Sequence, residues 1–212
     1  MNRLFDVEEA QRGVKSNVLF SSEMNNWHTP SVYAEAAREV MGSLELDPAS
    51  CEEANKVIGA KRYYTEEQNG LLQDWTCSSM FINPPYGLTN NKSNQGIWTK
   101  RLIEEYHRGV VKQAILLVNA KTDTRWFEML WDFALCFTRG RINYYTTKMY
   151  VTVGNTNGSC FVYLGPNIKT FVDVFTQFGP VITPDGVHRR EKTAQQASLW
   201  DLREEVETIP NI

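Results

Sequence analysis

The run Ala114-Ile115-Leu116-Leu117-Val118 holds five apolar residues in succession, with no polar side chain between them. A strand with one wet face alternates apolar and polar residues, whereas an unbroken run suits a strand covered on both faces. Such a strand needs helices above and below it, which directs the chain to an α/β layout around a mostly parallel sheet. Helix signals follow in order. Thr29-Pro30 sets a capping hydroxyl before a proline at the first helical position; Val32, Ala36, Val40 and Tyr33, Ala37, Met41 recur at helical spacing, and Gly42 ends the segment. Ser50 and Glu53 read as a capping box for a short helix through Ile58. Trp98, Leu102 and Tyr106 mark a helix ended by Gly109, Trp126, Leu130 and Phe133 mark another, and Phe171, Phe175 and Phe178 belong to a last amphipathic one.

Strands are expected at Leu44–Leu46, Lys61–Tyr64, Ser79–Asn83 and Ala134–Phe137. Met149–Val153 and Cys160–Leu164 flank Asn157-Gly158, the signal of a hairpin, which places an antiparallel hairpin at the C-terminal edge of the sheet. Residues Leu88–Gln95 show no periodicity and read as a mobile loop. At 212 residues the chain suits one well-buried domain. We divide it into an N-terminal arm at 1–22, a catalytic domain at 23–184 and a charged tail at 185–212.

Composition narrows the function classes. The net charge of -3, from 22 Lys+Arg against 25 Asp+Glu, argues mildly against a partner as acidic as nucleic acid, without excluding a local basic face. Cys51, Cys77, Cys136 and Cys160 are scattered, with no CxxC pair, so neither a zinc site nor a disulfide framework is expected; no metal is. No apolar run is long enough to cross a bilayer, and the opening residues lack the apolar core of a signal peptide. These readings point to a cytoplasmic protein with no membrane partner.

The sharpest local feature is Asn83-Pro84-Pro85-Tyr86, at the end of an apolar strand. In a doubly wound sheet the carboxyl ends of the strands face the ligand crevice. Two prolines fix φ and remove two backbone donors, leaving a rigid backbone with its carbonyls exposed. An asparagine oxygen beside such a carbonyl offers two acceptors pointing one way, which match the two N–H donors of an exocyclic amine. The lone pair of that amine is delocalised into the ring. Hydrogen bonds from both N–H groups to the Asn83 oxygen and the Pro84 carbonyl favour a pyramidal nitrogen with a localised lone pair, so Asn83, Pro84, Pro85 and Tyr86 are the candidate catalytic residues. Tyr86 suits stacking on a base swung out of a duplex. A proline turn with a core aromatic is the plain alternative.

Two further segments suit a methyl donor. In Leu46-Asp47-Pro48-Ala49-Ser50 a carboxylate at a strand-to-helix turn can hold a cationic donor, with Pro48 and Ala49 lining a close backbone approach; otherwise Asp47 and Pro48 simply start a helix. In Gln73-Asp74-Trp75, Asp74 either accepts from an adenine amine or is a surface aspartate.

The series of motifs resembles the phage-type (Dam-like) DNA N6-adenine methyltransferase family. Phe20-Ser21-Ser22 leads to Trp27-His28-Thr29-Pro30, similar to that family's W-x-T-P opening. Leu46-Asp47, Ala49, Asn55, Tyr64-Thr65, Asn69-Gly70-Leu71, Trp75 and Asn83–Tyr86 follow, then Thr122–Phe127 and Arg139-Gly140-Arg141. The resemblance spans Phe20 to Leu164. It implies a Rossmann-like methyltransferase fold dependent on S-adenosylmethionine, released as S-adenosylhomocysteine. It places Trp27, Thr29, Asp47, Pro48, Ala49, Asn69 and Asp74 at the cofactor, double-stranded DNA as partner, and the host cytoplasm as the location of a phage-encoded enzyme. Two departures stand out: the donor loop lacks a glycine pair, and Asn155–Ser159 lacks a Phe-Pro.

No separate recognition domain is left over, so DNA contacts are expected from Lys92, Lys121, Arg125, Arg139 and Arg141, arginine suiting guanine and lysine phosphate. Each is otherwise a solvated charge. Arg189, Arg190 and Lys192 add a basic cluster in the tail. Two other readings keep the motif: an RNA adenine or protein glutamine methyltransferase, and a catalytically silent nucleic-acid-binding homologue.

Overall fold

The computed structural model describes residues 28–144 and 156–190. The N-terminal arm, Trp27, Met149–Val153 and most of the charged tail lie outside them. In chain order the elements are α1 (Ser31–Met41), β1 (Leu46–Asp47), α2 (Glu52–Ile58), β2 (Arg62–Tyr63), a single 3₁₀ turn (Gly70–Leu72), β3 (Met80–Ile82), β4 (Leu88–Thr89), β5 (Lys92–Ser93), α3 (Asn94–His107), β6 (Ala114–Asn119), α4 (Arg125–Glu128), β7 (Ala134–Phe137), β8 (Ser159–Leu164), α5 (Ile168–Phe175), β9 (Val181–Thr183) and β10 (Gly186–His188).

Eight strands form one sheet in the order β10-β9-β7-β8-β6-β3-β1-β2. The neighbours β2, β1, β3 and β6 run parallel. Strand β6 is the central one, and all six of its residues are buried. Its side chains alternate between two cores. Ile115 and Leu117 join Phe81, Phe161 and Phe175 beneath α1 and α5, while Ala114, Leu116 and Val118 join Ile82, Trp98, Leu102 and Phe127 beneath α3 and α4. Helices on both faces explain why no polar residue interrupts the strand.

The expected hairpin takes a different form. Residues 160–164 lie inside the sheet as β8, antiparallel to both β6 and β7. The uninterrupted apolar run Cys160–Leu164 marks a strand covered on both faces, and this outweighs the Asn157-Gly158 turn signal. The antiparallel edge is instead the hairpin β9–β10, with Gly186–His188 paired to Val181–Thr183.

Three smaller expectations also shift. Leu88–Gln95 is no irregular loop: β4 and β5 form a hairpin closed by Asn90 and Asn91, at φ 50° and 61°, and α3 then starts at Asn94. Two successive left-handed residues make the turn that matches strand twist, and asparagine tolerates that region better than other side chains. Helix α2 is capped by the Cys51 sulfur, which accepts from the Ala54 N–H, so Ser50 is not the cap. The helix after Thr124 is a single turn, and Phe127 rather than Trp126 takes the fully buried position.

Candidate active site

Parallel pairing aligns the carboxyl ends of β1 and β3, with Leu46 opposite Met80, so Asp47 and Asn83 end neighbouring strands. At the β1 end the Asp47 carboxylate is 3% exposed. Its Oδ1 accepts the Ala49 N–H at 3.1 Å, which curls the turn, and no described residue forms an ion pair with it. Burial pushes its pKa up to about 6, against smaller lowering effects of the Ala49 N–H and the Ser50 hydroxyl. A buried carboxylate without a cation is costly, and a cationic ligand would relieve that cost.

The turn at 47–50 has no glycine of its own, yet backbone still packs tightly against it, because Gly70 comes from another segment. A Cβ at Gly70 would lie 1.9 Å from the Pro48 carbonyl oxygen. The Gly70 carbonyl is itself held by Trp75 Nε1 at 2.8 Å and Arg101 Nη1 at 3.2 Å, with the Arg101 guanidinium lying 4.2 Å from the Trp75 ring centroid. Gly70→Ala should therefore force this turn apart at a cost of about 1–3 kcal/mol. The check is a fall of several degrees in Tm; an unchanged value would mean that the contact is easily relaxed.

At the β3 end the Asn83 amide donates from Nδ2 to the Thr29 hydroxyl at 3.3 Å. Thr29 is buried just ahead of α1, so the start of that helix sets the orientation of the amide. His28, also buried, places Nε2 3.6 Å from the Cys51 sulfur, and burial lowers its pKa. Beyond Asn83, Pro84 is buried and Pro85 half-buried. Tyr86 is half-buried too, with its hydroxyl turned inward to donate to Tyr144 Oη at 3.0 Å. Asn94 ties the hairpin to this loop, donating to the Tyr86 carbonyl from its side chain and to the Gly87 carbonyl from its backbone.

Strand β3 ends at Ile82, two residues before Pro84, while β6 continues to Asn119. There the buried Gln95 side chain accepts the Asn119 N–H at 3.3 Å, in place of a neighbouring strand. Gln95, Tyr144 and His28 were not singled out from sequence as site residues. For Tyr144 a signal existed: Arg141 and Asn143 are exposed while Ile142 and Tyr144 are buried, the period-two pattern of an anchored extended segment.

The remaining candidates are dispersed. Asn69 is exposed at φ 51° and uses its side chain to cap the 3₁₀ turn at Leu71. The Asp74 carboxylate is already engaged: Oδ1 accepts from the Thr76 backbone and hydroxyl, and Oδ2 lies 3.8 Å from Arg62. The Thr76 bonds lower its pKa. Lys121 and Arg125 are exposed after the carboxyl end of β6, beside a shallow hollow of about 380 Å³ lined by Thr122–Arg125 and Glu128. Arg139 and Arg141 are exposed after β7, around Gly140 at φ 81°. Because β6 and β7 are both antiparallel to β8, these four cations leave the same end of the sheet as Asn83. Lys92 is exposed on β5.

The family model for DNA N-6-adenine-methyltransferase (Dam) matches residues 15–180 of the chain. No curated protein and no solved structure matches it.

Proposed function

Because the chain belongs to the Dam family of DNA N-6-adenine-methyltransferases, we propose that it transfers a methyl group from S-adenosylmethionine to the N6 amine of an adenine swung out of double-stranded DNA. The observation that carries this reading is the pairing of two unlike sites at adjacent strand ends: the buried carboxylate of Asp47, with no ion-pair partner among the described residues, and the oriented amide of Asn83. The parallel run β2-β1-β3-β6, with helices on both faces, supports a Rossmann-like domain.

The donor set fits the cofactor. Asp47, Pro48 and Ala49 would hold S-adenosylmethionine, with the Asp47 carboxylate facing positive charge. When bound, that cofactor supplies an electrophilic methyl group. The protein's own part is to present acceptors. The Asn83 oxygen and the Pro84 carbonyl accept from the target amine, so positive charge growing on the nitrogen meets groups already in place. Such preorganisation is worth roughly 2.7–4 kcal/mol per group in the analogous oxyanion holes. Thr29 acts through Asn83 by holding the amide. The Tyr86 ring stacks on the flipped base, and Lys92, Lys121, Arg125, Arg139 and Arg141 face the duplex.

The test is direct. Purified protein with methyl-labelled S-adenosylmethionine should label duplex DNA, and nucleoside mass spectrometry should find N6-methyladenine. Label in RNA or in protein glutamine instead would move the substrate. Cofactor binding by calorimetry without transfer to any of the three would identify a silent homologue.

A further inference from the structure

We propose that Tyr144 is a positioning residue for the reaction, its buried hydroxyl holding the ring of Tyr86 in the plane that receives the target base. This rests on the methyltransferase reading above. Pro84 and Pro85 fix the backbone up to Tyr86, but they leave its side-chain torsions free. A stacking platform works only if its plane is set before the base arrives. The structure sets it from below. Tyr144 is 1% exposed, and its hydroxyl accepts from Tyr86 at 3.0 Å while lying 3.5 Å from Ser159 Oγ. The two rings meet edge to face, 76° apart with centroids 6.3 Å apart, so Tyr144 touches Tyr86 without stacking on it.

The placement in the fold is informative. Tyr86 follows β3 and Tyr144 follows β7, with β6 and β8 lying between those strands, while Ser159 opens β8. One hydrogen-bonded chain therefore links three loops or strand ends across the catalytic edge of the sheet. It also links the catalytic loop to the segment carrying Arg139 and Arg141, so that grip on the duplex and the plane of the stacking ring share one support. Burial raises the pKa of both phenols, which keeps the pair neutral and hydrogen bonded at ordinary pH.

The test uses Tyr144→Phe, Tyr86→Phe and the double variant in the full chain. Each single change removes the Tyr86–Tyr144 bond and keeps both rings, and Tyr144→Phe also gives up the contact to Ser159 Oγ. We expect kcat on DNA to fall roughly tenfold or more in each single variant. The double variant should be no worse than the singles, with S-adenosylmethionine affinity unchanged in all three. Ring-selective carbon relaxation of Tyr86 in the free protein should report a more mobile ring in Tyr144→Phe. Should Tyr144→Phe fail to fold, Tyr86→Phe removes the bond from the other side. Unchanged kcat with an unchanged ring order, or losses that simply add in the double variant, would overturn the proposal. Ring relaxation needs no turnover, so it decides the anchoring even if the wild type fails to methylate DNA, a result that would count against the methyltransferase reading instead.

Discussion

Asn83→Ala is expected to abolish methyl transfer while leaving S-adenosylmethionine binding nearly intact. On the proposed reading the substitution removes one of the two acceptors for the target amine, and a single preorganised group of this kind is worth about 10²–10³-fold in kcat. The structure separates this effect from loss of fold. Asn83 Nδ2 donates to the Thr29 hydroxyl at 3.3 Å, a bond of a kind worth roughly 1 kcal/mol, and a melting curve of the variant reads the loss of stability apart from the loss of turnover. The turn proposed to hold the cofactor belongs to a different strand end, with its own internal bond from Ala49 to Asp47. Asn83→Asp keeps an acceptor oxygen, and the Thr29 hydroxyl can donate to it as readily as it accepts from the amide. That variant should retain far more activity than Asn83→Ala. The check is single-turnover methylation with cofactor affinity measured in parallel. Wild-type turnover in Asn83→Ala would remove the residue from the chemistry.

Asp47→Asn should act in opposite directions on stability and binding. The carboxylate titrates near 6 in the folded protein and at its ordinary 3.8 when exposed. Between those values the folded state holds the extra proton, so stability contributed by this group is complete below about 3.8 and is lost as pH rises through about 6. Above that window the buried charge costs the apoprotein on the order of 3 kcal/mol, by the conversion of about 1.4 kcal/mol per pH unit. Asparagine keeps the acceptor for Ala49 without the charge. The variant should therefore melt several degrees higher than wild type at pH 8, and the difference should vanish near pH 4. Excess S-adenosylmethionine should stabilise the wild type by about 2.7 kcal/mol at a hundredfold over Kd, and the variant hardly at all. If the variant is no more stable at pH 8, or still binds the cofactor like wild type, Asp47 is not the cation site.

What could be read from sequence, and what could not, follows from the range of each signal. The Ala114–Val118 run announced a strand covered on both faces, because two-sided burial is written into consecutive residues. The placement of Asp47 and Asn83 at strand ends was legible too, because prolines directly follow each of them. The role of Gly70 was not. Its nearest neighbour is Pro48, 22 positions earlier, and only packing shows that a Cβ there has no room. Thr29 was read as a helix start and a cofactor contact; that its hydroxyl also accepts from an amide 54 residues away was not legible. The turn at Asn90-Asn91 was hidden because asparagine takes the place of the glycine that usually signals such a hairpin. The Asn157-Gly158 signal pulled the other way and sent β8 to the edge.

The insertion of β8 between β6 and β7 has a consequence for how the chain is made. During synthesis β1, β2, β3, β6 and β7 leave the ribosome earlier, yet β6 and β7 share no partner until residues 159–164 arrive to join them. Until then each exposes an unpaired backbone edge lined with apolar side chains, the state most open to association with other chains. The middle of the sheet thus waits for β8, and an emerging chain stopped before residue 159 holds the β2-β1-β3-β6 half with β7 still unjoined to it.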